Sequence, residues 1–140
     1  LSFAAGSTDV PGGDTEPRFS VSYDQEMARG SLSASLQRSV PVDDAGDVQG
    51  NLRGAIDVNY VLTSASQLGI AVSFTDIEDV TGSGVSERQR ASIGATFEQA
   101  LAQDWTLSVG AEHRFLDDAG SRRRDNAVFV NIGRSFTFRP

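Results

Sequence analysis

Asn126 to Phe138 reads NAVFVNIGRSFTF, and the fold follows from this stretch. Val128, Val130, Ile132, Phe136 and Phe138 fall on even positions. Ala127, Asn131, Gly133, Ser135 and Thr137 fall on odd ones, with Phe129 the exception. Successive side chains of a strand point to opposite sides, so this alternation predicts a strand with one apolar and one polar face.

The same period recurs toward the N-terminus. Phe19, Val21 and Tyr23 oppose Ser20, Ser22 and Asp24, and Leu32, Ala34, Leu36 and Val40 oppose Ser33, Ser35, Gln37 and Ser39. Apolar parity changes across the turn near Ala28-Arg29-Gly30, which leaves that hairpin's register open. Leu52, Ile56, Val58, Tyr60 and Leu62 alternate with Arg53, Ala55, Asp57 and Asn59. After the turn Thr63-Ser64-Ala65-Ser66, Leu68, Ile70, Val72 and Phe74 carry the apolar face. A tight hairpin here predicts Tyr60 opposite Ile70 and Ile56 opposite Phe74, as cross-strand packing favours. Ala91, Ile93, Ala95, Phe97 and Leu101 follow, then Trp105, Leu107, Val109, Ala111 and Phe115. Leu1 to Ala5 alternates briefly before Gly6 and reads as the tail of a strand cut at its start, in the C-terminal part of a longer chain.

The connections predict a sidedness. Gly6–Pro17, Pro41–Asn51, Asp76–Gln89 and Leu116–Asp125 are polar and read as long loops. The three remaining connections are short, so long and short alternate. Strands of roughly 10–12 residues are near the ~9–11 that a tilted membrane strand needs, whereas strands of globular domains peak nearer ~5–6.

The last eight residues of the opening stretch, Asn131 to Phe138, run polar, any, Gly, any, any, apolar, any, apolar. This resembles the C-terminal β-signal of bacterial outer-membrane β-barrel proteins. The resemblance implies that Asn131, Gly133, Phe136 and Phe138 are read by the barrel assembly machinery. It also implies a periplasmic C-terminus, short turns in the periplasm and long loops outside the cell. The chain departs from the pattern in continuing through Arg139 and Pro140, and in placing Arg134 on the apolar face. A charge there costs about 2–4 kcal/mol at mid-membrane depth.

Composition agrees. The 140 residues suffice for one domain, 1–140, which is expected to be all-β: an antiparallel up-and-down transmembrane β-barrel with about eight strands visible, the first truncated. Cysteine is absent, which excludes disulfides and thiolate metal sites, and a net charge of -7 argues against nucleic acid. No apolar run approaches the ~20 residues of a membrane helix, but alternate residues suffice for a barrel wall.

On this reading the apolar face meets lipid and the small polar face lines a lumen, carrying Arg53, Asp57, Arg90, Glu98, Glu112 and Arg114. Glu98 and Glu112 are expected to pair with Arg90 and Arg114, because enclosed charges need partners. Tyr60, Trp105 and Phe138 form a periplasmic aromatic girdle, with Phe74 and Phe115 toward the other rim. Thirteen of the nineteen acidic residues lie in the four long segments and read as a solvated surface, since no complete calcium-loop spacing is present. Arg122-Arg123-Arg124 is a candidate for lipopolysaccharide phosphates or for a plain loop tip. His113, the sole histidine, has the parity of the lipid side, so a histidine triad or metal site is not expected. No enzyme, metal or cofactor is expected. The expected function is a passive pore or uptake channel, in which the chain forms part of a larger barrel. The alternative is a small closed structural or ligand-binding barrel that interacts through its loops. Partners are outer-membrane lipid, lipopolysaccharide and the assembly machinery; the oligomeric state stays open.

Overall fold

The alternating segments become eight antiparallel strands in a single sheet, each hydrogen-bonded to its neighbours in sequence order. The computed structural model describes residues 1–9, 15–41, 49–79, 88–102, 104–118 and 120–135. The strands are β1 (Ser2–Asp9), β2 (Thr15–Met27), β3 (Gly30–Ser39), β4 (Gln49–Thr63), β5 (Ser66–Asp79), β6 (Arg88–Ala102), β7 (Trp105–Asp118) and β8 (Ser121–Arg134). Six of them have 13 to 15 residues, longer than the alternation alone indicated.

Pairing keeps every apolar stripe on one face. The row Phe3–Val21–Leu36–Gly54–Phe74–Ala91–Phe115–Arg124 crosses all eight strands, and Tyr60–Leu68–Phe97–Val109–Val130 runs parallel to it. The parity change at the first short turn has a simple cause. Met27 pairs with Gly30 across a two-residue loop, so an odd position on β2 must face an even one on β3.

Two expectations are corrected. Tyr60 pairs with Leu68 and Ile56 with Val72, not with Ile70 and Phe74. The turn closes one residue tighter than expected, with Thr63 paired to Ser66, and an irregularity between Val61 and Thr63 adds one more, so the register slides by two and the face is unchanged. The second correction is at Leu116–Asp125, which is no loop. Asp118 pairs with Ser121, so the pairing of β7 and β8 continues through both ends of the segment, and Gly120 has φ 86°. Glycine enters that left-handed region without steric penalty. The charges that made the segment look like a loop are matched across strands instead: Asp117 with Arg122 at 2.9 Å and Asp118 with Arg88 at 3.1 Å. The first connection is also shorter than expected, since β1 reaches Asp9 and β2 begins at Thr15.

No second layer covers the sheet among the described residues. Val40 is the only buried hydrophobic side chain among the described residues, while Val128 is 77% exposed, Val130 63% and Ile132 62%. The chain presents 9911 Å² to its surroundings. A compact monomer of 14.9 kDa presents about 7,000 Å². Among the described residues no pairing joins β1 to β8, so the sheet has two edges.

The short turns shift steadily relative to the paired rows. Met27 lies six residues beyond Val21, Thr63 nine beyond Gly54, and Ala102 eleven beyond Ala91 on the same transverse row. The drift is about one residue per strand.

Candidate functional site

The polar face is organised in transverse rows. Toward the long connections, Arg53, Arg90 and Arg123 share one row with Gln37, Thr75 and Leu116. The next row holds Ser2, Ser22, Ser35, Ser73 and Ser92, ending in Arg114 and Asp125. Ser2 and Ser22 hydroxyls hydrogen-bond at 2.6 Å, and Ser73 and Ser92 at 2.8 Å. One row further, Asp24, Ser33, Asp57, Ala71, Gly94 and Glu112 line up, and Glu98 lies nearer the short turns beside Gln67 and Ser108. The six charged residues expected to share a face, Arg53, Asp57, Arg90, Glu98, Glu112 and Arg114, therefore do lie on one face, on β4, β6 and β7.

Their partners differ in part from expectation. The Arg114 guanidinium grips both oxygens of Glu112 at 2.7 Å, two residues away on one strand. Glu98 instead accepts from the Gln67 amide on β5, because Gln67 is directly opposite it while Arg90 lies eight residues away along β6. Arg53 donates to Asn51 Oδ1 at 3.1 Å.

The floor and walls of a groove emerge from this arrangement. Gly69, Ala71 and Gly94 on β5 and β6 leave a depression of about 390 Å³ in the sheet's polar face. Asp57 and Asn59 bound it from β4, Gln67 and Glu98 from the short-turn end, and Phe129 from β8. Phe129 sits directly opposite Gly110, and its ring occupies the space a β-carbon there would need. The alternation singled out Phe129 as an exception but gave it no role; Asn59 and Gln67 carried no signal at all. Among the described residues no group of three His, Cys, Asp or Glu side chains is placed to hold a metal.

The apolar face carries charge only near its ends. Arg38, Asp76, Glu78, Asp117, Arg122 and Arg124 lie toward one end of the sheet, and Arg134 lies at the other, beside the connection between β6 and β7. Arg38 joins Glu16 at 3.1 Å and reaches Glu78 at 4.0 Å. Arg134 stacks over the Trp105 ring, 5.5 Å from its centroid. Tyr60 and Trp105 both lie toward the short turns on this face, and His113 shares it, bonded to Asn126 at 2.6 Å. Of the terminal motif, Asn131 and Gly133 are polar-face residues of β8, and Ser135 N–H donates to the Asp104 carbonyl at 2.9 Å. Phe136 and Phe138 lie outside the described residues. No helix among the described residues is long and apolar enough to cross a membrane. No family model, curated protein or solved structure matches the chain.

Proposed function

We propose that this chain is the wall of a bacterial outer-membrane β-barrel that serves as a passive pore for small solutes. The observation that carries the reading is the uncovered apolar face with charges only at its two ends. A one-layer sheet of this kind gains little from burial in water, but inside a bilayer the same face is the favourable one. On β8 that face runs from Arg124 to Arg134 through Asn126, Val128, Val130 and Ile132. That is ~34 Å along the strand.

The turn drift supplies a second, independent support. If the short turns share one level, a shift of about one residue per strand gives a tilt near ~35° from a ~3.4 Å rise and ~4.8 Å strand spacing. Membrane barrels tilt their strands by about 35–45°. The tilted charge-free stretch then stands ~28 Å high, close to the ~25 Å apolar band of such proteins. Arg134 falls at the rim beside Trp105 and not at mid-depth, which removes the objection its parity raised. The short turns face the periplasm on this reading. Arg122 and Arg124 on the outward face lie where lipopolysaccharide phosphates begin, and Asn131 and Gly133 belong to the segment read by the assembly machinery.

The two free edges, β1 and β8, are where further strands, or each other, complete the wall. Eight strands alone would give the alternative, a small closed barrel, and the drift accumulated over eight strands has the size such a closure requires. Its interior must be filled by side chains. Serine at five of eight positions in one row leaves that interior too empty, and this favours the wet pore. Conductance of the detergent-refolded protein in planar bilayers tests the choice. Stable single-channel steps support the pore, silence with full membrane insertion supports the closed barrel, and partition into the aqueous phase without detergent overturns both.

A further inference from the structure

We propose that the groove beside Phe129 is a binding site for a small organic cation carrying an ammonium or guanidinium group. The proposal rests on the polar face being water-filled, as above, but it concerns a site that the pore reading does not need. Phe129 is the one aromatic side chain among the described polar-face positions, and it remains 39% exposed. A strand facing water or small solutes has no use for an aromatic ring there. Covering Gly110 accounts for one surface of the ring and leaves the other turned to the groove.

The chemistry around it is one-sided. Asp57, Glu98 and Glu112 line the groove, and no arginine does, although arginines are frequent elsewhere on this face. Glu112 is neutralised by Arg114, and Glu98 is held by Gln67, which leaves Asp57 and Glu98 as the negative charges. The glycine and alanine floor gives a ligand access close to the backbone. An aromatic ring on the β8 wall, with Asp57, Glu98 and the Asn59 and Gln67 amides on the other walls, matches a cation whose charge sits next to apolar atoms. A phosphate or carboxylate ligand meets only repulsion here, and an inorganic cation gains nothing from the ring.

The test is a titration of the detergent-refolded full chain with choline, followed by calorimetry, with sodium acetate and maltose as controls. Saturable choline binding in the millimolar range is expected, with no saturable heat from maltose or acetate beyond dilution. Phe129→Leu and Asp57→Asn should each weaken binding about five- to tenfold, as loss of a cation–π contact or its counter-charge does. Phe129→Trp should restore it, and guards against a folding defect in the leucine variant. Absence of saturable choline binding, equal binding by Phe129→Leu and Asp57→Asn, or tighter binding of maltose overturns the proposal. The pore reading is judged separately by conductance, so either can fail while the other stands.

Discussion

Three glycines meet their cross-strand neighbours in different ways, and the difference is measurable. A β-carbon at Gly30 would overlap the Asn59 carbonyl oxygen, which belongs to the backbone of β4 and cannot swing away. At Gly54 it would overlap the ring of Phe74 alone, which has rotamers to escape into, and at Gly110 it would meet both the Phe129 ring and the Ala95 carbonyl oxygen. Gly30→Ala is therefore expected to cost about 1–3 kcal/mol, as forced overpacking does. Gly54→Ala should cost distinctly less. Urea unfolding in lipid vesicles ranks them, and an equal cost at both sites would refute the backbone argument. Phe129 shows what sequence can and cannot say at this scale. Its break in the alternation is visible in the letters, but its partner Gly110 is nineteen positions away, and only the β7–β8 register brings them together.

At the scale of single strands, the two faces of β7 should respond oppositely to the same substitution. Val109→Arg puts a charge between Phe97 and Val130, in the middle of the apolar band. It is expected to destabilise the inserted protein by roughly 2–4 kcal/mol. Ser108→Arg, one residue away, lands opposite Glu98 on the polar face and should be nearly neutral. Comparable losses in vesicle unfolding would mean that the apolar face does not meet lipid. The tight turn predicts a smaller effect: Gly120→Ala forces a β-carbon into a left-handed conformation, and about 1 kcal/mol is expected in the same assay. Strand existence and face were legible here because period-two patterning repeats over long segments. Strand ends were not. Asp117, Asp118 and Arg122 look like loop residues, since their compensation by Arg88 and by each other lies across strands. The register of β4 and β5 was missed for a similar reason: the irregularity before Thr63 depends on how the turn closes, and Leu62 continues the apolar pattern without a break.

For the molecule as a whole, the tilt inferred from the turn drift can be measured directly. Polarised infrared spectroscopy on oriented bilayers should give a strand inclination near ~35° to the membrane normal. Strands lying in the plane of the film, or a protein that stays soluble when detergent is removed, would contradict the reading. The alternation alone could not decide this, because a soluble sandwich and a membrane wall share it. What bears on the choice is whether anything covers the apolar face, and among the described residues no second layer does. The meander has one more consequence. Since each strand pairs only with those before and after it, the wall is modular in units of two. Excising β4 with β5 would leave the chain's up-and-down polarity intact, so the strands on either side can still pair antiparallel. Removing either strand alone would send every later turn to the opposite end of the sheet.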